Sequence, residues 1–172
     1  MSHCILGGTF TYVHGGHESM LRECKRFGRI TMGLTTDAYV KRHKIYPSFA
    51  YEKRLAGLNK ALARHGLLSR TKIMKINDET GGADALSEPD SIIVSEETYG
   101  AAERINAARK KNRLPPLKII SVPLAYGEDL KKISCGAIYE KKTDLRGRLL
   151  KPVHIQAGTQ NPTKLRGASL AL

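Results

Sequence analysis

The sequence predicts an α/β fold, a doubly wound parallel sheet. Three observations predict it. Five short apolar runs recur along the chain, each the length of a buried strand. Segments with apolar residues at helical spacing separate them. A glycine pair closes the first run just before the first helical segment. With 172 residues, 41% of them hydrophobic, the chain has room for one ordinary domain, or one domain and a fragment, and enough apolar material for a real core.

The elements follow in order. Cys4–Leu6 is a short buried strand that meets a tight turn at Gly7-Gly8. Residues 17–27 place Met20, Leu21, Cys24 and Phe27 on one helical face, with Gly28 as the stop. Ile30–Leu34 is the second strand, and this βαβ unit implies a right-handed crossover. Residues 49–65 form a helix with Leu55, Leu58 and Leu62 on one face. Lys72–Ile76 is the third strand, and the polar, glycine-rich stretch 77–89 a loop. Ser91–Val94 is the fourth strand, followed by a helix to about Asn112. Pro115-Pro116 stops that helix, and Lys118–Val122 is the fifth strand. In such sheets the ligand lies beyond the carboxyl ends of the strands, which here means the Gly7-Gly8 end of the first.

Residues 1–150 read as this domain, and 151–172 as a basic tail or the start of a second one. The formal net charge is +13, and residues 141–172 carry seven Lys and Arg against Asp144 alone. Such a chain attracts anions: nucleotides, phosphoesters or nucleic acid. Aromatics make up 6%, with no RNP or KH pattern, so a nucleic-acid partner is not expected. No apolar run approaches the roughly 20 residues that cross a bilayer, and no signal peptide precedes Cys4, so the reading is cytoplasmic without a membrane partner. Cys4, Cys24 and Cys135 are too few and too scattered for a disulfide framework or a cysteine zinc site. His14 and His17, three apart with no second ligand pair, fit a structural zinc site with Cys4 poorly, so no protein metal site is expected.

The stretch that carries chemistry is Gly7-Gly-Thr-Phe-Thr-Tyr-Val-His-Gly-Gly-His17. Gly7 and Gly8 remove Cβ where a nucleotide approaches backbone. His14 and His17 stand at a helix entry, where imidazoles and helix N–H groups suit a triphosphate, and Gly16 lets the α-phosphate lie close. The reaction this suits is in-line attack on an α-phosphorus by an anionic phosphate oxygen, in which the protein positions the reactants and neutralises developing charge.

These residues resemble the first signature of the HxGH nucleotidyltransferase superfamily, whose fold is Rossmann-like. Gly33-Leu-Thr-Thr-Asp37, with Lys41, Arg42 and Lys44 beyond it, resembles the strand and basic loop after the first helix in that superfamily. Ile93-Val-Ser-Glu-Glu-Thr-Tyr99, with Asn106 and Leu114-Pro-Pro116, is similar to the archaeal and eukaryotic type of phosphopantetheine adenylyltransferase. Lys132–Ile138 occupies the place of the second signature. The resemblance implies that ATP and 4′-phosphopantetheine are the substrates, with Mg²⁺ assisting. It implies that Thr9 and Phe10 shape the phosphate turn. His14 and His17 would contact nucleotide phosphates, with His17 the main transition-state stabiliser. Lys44, or else Lys41, would reach a phosphate, and Arg42 lies in the same basic segment. The turn Ser95-Glu96-Glu97-Thr98 would lie near base and ribose, and Ser134 would open the second phosphate-binding helix. Alternatives are a superfamily member using CTP or another acceptor, and a non-catalytic nucleotide- or RNA-binding module.

Departures from the family pattern are local. Thr11 stands where members usually have Asp. Cys135, Gly136, Ala137 and Tyr139 fill places where a hydroxyl residue and an arginine are usual, with Lys131, Lys132, Lys141 or Lys142 as substitutes. Residues 153–172 resemble the start of an inosine/xanthosine triphosphatase, which implies a second, pyrophosphatase-like domain in a longer chain or a remnant of one.

Overall fold

The computed structural model describes residues 2–43 and 46–151. Residues 153–172 and Lys44 therefore lie outside the described residues. Strands β1 (His3–Gly8), β2 (Arg29–Thr35), β3 (Thr71–Ile76), β4 (Ser91–Ser95) and β5 (Lys118–Val122) form one sheet. Its order is β3-β2-β1-β4-β5, with every pair parallel. The helices are α1 (Gly15–Cys24), α2 (Asp37–His43), α3 (Tyr51–Arg64), α4 (Tyr99–Lys111) and the short α5 (Cys135–Tyr139). The predicted α/β class and the five strands are present.

Alternation along the strands builds two cores. Cys4, Leu6, Ile30, Met32, Leu34 and Ile93 pack against Leu21 and Cys24 of α1 and Leu58, Ala61 and Leu62 of α3. Ile5, Ile92 and Val94 point to the other face, against Ala102 and Ile105 of α4. Burial of the Leu, Ile, Val and Met side chains among them, worth about 1.5–3 kcal/mol each, supplies the main driving force.

Four sequence expectations are corrected. Gly7 and Gly8 do not form a turn; they end β1, paired with Gly33 and Leu34 of β2. The missing side chains at Gly7 and Gly33 instead accommodate Ile76, whose Cδ1 would lie 3.5 and 3.0 Å from a Cβ at those positions. Helix α1 starts two residues earlier than predicted, because the His14 side chain caps it. It ends at Cys24, and Phe27 turns into the core. Residues 37–43, predicted as basic loop, form α2, with Asp37 in its first turn and three basic residues in its last, as a helix dipole favours.

The connection from β3 to β4 contains no helix. It crosses the α4 face as a loop and donates Ala83 and Leu86 to the second core. Buried Arg109 secures it: Nη1 donates to the Ala83 and Leu86 carbonyls at 2.6 and 2.7 Å, and Nε to Pro115 at 2.8 Å. Asn112 adds a bond to the Asp84 carbonyl at 3.0 Å.

Candidate active site

The sheet changes winding direction between β1 and β4, and a crevice opens there at the carboxyl ends of the strands. The turn from β1 into α1 forms one side of it. Phe10 has φ of 50°, in the left-handed region, and its ring is buried. Gly8 makes room for that ring: a Cβ there would lie 2.9 Å from Phe10 Cε2. The preceding carbonyl, Thr9, accepts from Arg54 Nη1 at 2.9 Å.

Arg54 is 1% exposed and ties four segments together. Besides Thr9, it donates to the Phe49 carbonyl at 2.8 Å, the Thr35 hydroxyl at 3.4 Å and Asp37 Oδ1 at 2.8 Å. The guanidinium holds the Asp37 carboxyl below the usual carboxylate range, with help from the Tyr51 N–H. Thr35 in turn donates to the Thr9 hydroxyl at 3.2 Å. Thr11 is buried and shares a 2.6 Å hydrogen bond with Ser48.

His14 and His17 form a reciprocal cap on α1. His14 Nδ1 accepts from the Gly16 N–H at 3.2 Å, and His17 Nδ1 accepts from the His14 N–H at 3.4 Å. An imidazole nitrogen that accepts carries no proton, so each ring is neutral with its hydrogen on Nε2. Two Nε2–H donors result. Burial lowers the His14 pKa to about 4, which keeps that ring neutral. The rings lie 4.0 Å apart between centroids, and Phe10 backs His17 at 4.7 Å. The first-turn amides are already engaged: Gly16 bonds His14, and the Gly15 N–H donates to the Leu145 carbonyl at 3.0 Å. Gly16 serves the cap directly, since a Cβ would lie 3.3 Å from His14 Cε1.

The second-signature segment abuts this turn. Ile133 packs on Gly15, where a Cβ would lie 3.0 Å from its Cδ1. Ser134 caps α5 by accepting from the Ala137 N–H at 3.2 Å, and the buried Cys135 thiol donates to the Tyr12 carbonyl at 3.6 Å. The Tyr46 ring would lie 3.8 Å from a Cβ on Gly136. Burial, with Cys135 nearby, pushes the Tyr46 phenol up to about 12. The Ser95–Thr98 turn joins the same region. Its hydroxyls bond each other at 3.1 Å, Glu96 accepts from the Leu124 N–H at 3.3 Å, and Glu97 pairs with Lys132.

Beside the turn lies a cavity of about 370 Å³. Gly7, Gly8 and Thr9 form one wall, and Ile92–Val94 with Ala102 and Ile105 of α4 another. Met74, Ile76 and the loop residues Asp78–Gly81 close the far side. Tyr39 and His43 of α2 also line it, whereas Lys41 and Arg42, the residues singled out from sequence, do not. Arg54, His43 and the cavity-forming loop were missed from sequence. Buried arginine gives no periodic signal, and the sequence pattern over α2 reads as a basic loop.

The description "cytidylyltransferase-like" belongs to a family pattern that matches residues 5–141. The chain belongs to this family. A bifunctional phosphopantetheine adenylyltransferase/NTP phosphatase of Thermoplasma volcanium is 39% identical over 166 residues, covering 96% of this chain and 50% of that protein. The chain thus spans about half the length of that relative. A phosphopantetheine adenylyltransferase of Thermococcus kodakarensis is 37% identical over 153 residues, covering 87% of this chain and 90% of the relative. Among solved structures, a protein of unknown function from Archaeoglobus fulgidus superposes with a TM-score of 0.63 at 27% identity, covering 71% of this chain and 89% of that one. The resemblance read from the HxGH turn is borne out for this cytidylyltransferase-like chain. Among the described residues no helix is long and apolar enough to cross a membrane, and no group of three or more His, Cys, Asp or Glu could hold a metal ion.

Proposed function

We propose that the protein transfers the adenylyl group of ATP to 4′-phosphopantetheine, yielding dephospho-coenzyme A and pyrophosphate. The observation that carries this reading is the meeting of two unlike surfaces at Gly8 and Thr9. On one side stands the turn that carries the two neutral histidines, and on the other a cavity lined largely by apolar side chains. A triphosphate beside the histidines and a long, mostly uncharged acceptor in the cavity would bring a phosphate oxygen to the α-phosphorus. The names of the archaeal relatives support the same pair of substrates.

The acceptor oxygen bonds to the α-phosphorus in line with the departing pyrophosphate, and no covalent enzyme intermediate forms. The Nε2–H groups of His14 and His17 donate to the oxygens on which charge builds, and fixed donors of this kind do not reorganise during the step. Phe10 and Thr9 hold the turn in shape, and Gly7, Gly8 and Gly16 keep it closely packed. Lys44 and Lys41, with Arg42 beside them, provide cations for the phosphates. Ser95, Glu96, Glu97 and Thr98 bound the nucleoside side, and Ser134 orients the second segment. Glu18, the acid nearest the histidines in sequence, is engaged by Arg64 and His65. Mg²⁺ would therefore be held by the triphosphate itself, whose charge it neutralises. The resemblance of residues 153–172 to a triphosphatase supports a second unit of that kind in a longer chain.

Pyrophosphate release, measured with ATP and CTP against phosphopantetheine and a panel of other phosphate monoesters, tests the proposal. Turnover with ATP and phosphopantetheine is the expected result. Turnover only with CTP, or only with another acceptor, would overturn it. Nucleotide binding without any turnover would favour a non-catalytic module.

A further inference from the structure

We infer that His43 contacts the substrate and binds the phosphate end of the acceptor, an inference that rests on the proposed transfer to a phosphate-bearing acceptor. Tyr39 and His43 are four apart on α2, share a face, and both line the cavity. Their rings stack with centroids 4.1 Å apart and planes 18° from parallel. His43 Nδ1 lies 2.8 Å from the Tyr39 carbonyl oxygen. A carbonyl only accepts, so Nδ1 carries the hydrogen. That is the opposite arrangement from His14 and His17, whose Nδ1 atoms accept. In His43 the ring is oriented by its own helix, and Nε2, on the other edge, is the atom left for a ligand.

The charges lining the cavity select where a phosphate can sit. Asp78 and Glu79 line the loop side, and Arg104 of α4 pairs with Glu79 at 3.8 Å. Lys41 and Arg42 do not line it. Among the described residues, His43 is then the basic side chain of the cavity wall that is not paired with a carboxylate. With Nδ1–H committed to Tyr39, Nε2 and a phosphate oxygen can share one proton. An imidazolium donates it to a phosphate dianion, or a phosphate monoanion donates its own hydrogen to neutral Nε2. In the second case the proton passes to Nε2 as the phosphate oxygen bonds to the α-phosphorus and the bond to pyrophosphate breaks.

The test compares two ligands that differ only in the phosphate. Phosphopantetheine and pantetheine are titrated calorimetrically into the wild-type protein, His43→Ala and His43→Gln, without nucleotide, and the KM for ATP is measured for each. Wild-type protein should prefer the phosphorylated compound. His43→Ala should lower that preference about tenfold while leaving pantetheine affinity unchanged. His43→Gln, which keeps a polar N–H at similar reach, should recover part of it, and the KM for ATP should stay within about twofold. A preference unchanged in His43→Ala overturns the role of His43 alone. So does an equal loss for both ligands, which would mean that His43 only builds the cavity wall. A wild-type protein that binds neither compound overturns the acceptor assignment, and the His43 role with it.

Discussion

The turn at residues 7–17 and the segment at 132–139 touch at Gly15, yet they are built differently. In the first, a left-handed Phe10, a fully buried Arg54 and a reciprocal histidine cap fix the Thr9 carbonyl and both imidazoles. In the second, a five-residue helix rests on one serine cap, and a thiol, a glycine and an alanine stand where the family usually has a hydroxyl residue and an arginine. Two lysines near it are already paired, Lys132 with Glu97 and Lys142 with Glu140. The contrast teaches where transition-state stabilisation should concentrate. Donors that cannot move act fully on developing charge, whereas exposed, paired lysines contribute little. In the proposed reaction the first turn supplies the electrostatics, and the second segment supplies mainly placement.

The comparison breaks most severely at Arg54. Arg54→Met should lower stability by about 3 kcal/mol, because two backbone carbonyls and a hydroxyl lose their donor in a buried place. The Asp37 carboxylate is 57% exposed and returns to water at little cost. Denaturant unfolding measures the loss. Turnover in native conditions should fall as well, since Thr9 and Phe10 lose the group that fixes them. An Arg54→Met protein with wild-type stability would mean that the turn holds itself. The pair also sets an acid limit. Asp37 has a depressed folded pKa, so its stabilisation is present above the ordinary carboxylate value near 4 and is lost as pH falls below it.

His17→Ala should lower turnover on the order of a hundredfold while circular dichroism stays native, because a fixed Nε2–H donor disappears and the His14 N–H loses its acceptor. Near wild-type turnover would remove His17 from the mechanism. His14 gives a third readout, in stability rather than rate. Its folded pKa of about 4 lies below the unfolded value near 6.5. As pH falls from 6.5 towards 4, the unfolded chain gains a proton that the folded one refuses, so stability should decline by up to about 1.4 kcal/mol per pH unit. His14→Gln should flatten that slope in urea titrations. A slope unchanged by the substitution would mean that His14 titrates in the folded protein as freely as in the unfolded one.

The strands, the parallel topology and the HxGH turn were legible in the sequence because each has a local signal: short apolar runs, alternating helical segments, glycines at fixed offsets. What was missed depends on distant partners. Arg54 looks like one of many surface cations until Thr9, Thr35 and Asp37 are brought round it. Helix α2 is short and polar, and Arg54, the Tyr51 N–H and the Tyr39–His43 stack organise it from outside its apolar pattern. The polar, glycine-rich stretch 77–89 reads as a loop, but its place as a cavity wall depends on Arg109, which no local pattern shows.

The second segment offers the mildest test, a gain rather than a loss. Ala137 is half-buried in the first turn of α5, where its N–H bonds Ser134. The resemblance places an arginine of the family there. If the segment lacks charge and not position, Ala137→Arg should bind ATP and pyrophosphate a few-fold more tightly at low salt. The gain should shrink as salt rises, because screening acts on the added phosphate contact. The side chain must find its way past Tyr46, whose ring already packs over Gly136. Pairing the substitution with Tyr46→Ala separates the two possible obstacles. Tighter binding only in the double variant would mean that Tyr46 occupies the arginine's place. Unchanged affinity in both, with the fold intact, would mean that another cation already neutralises these phosphates, and the division of labour between the two segments would then be wrong.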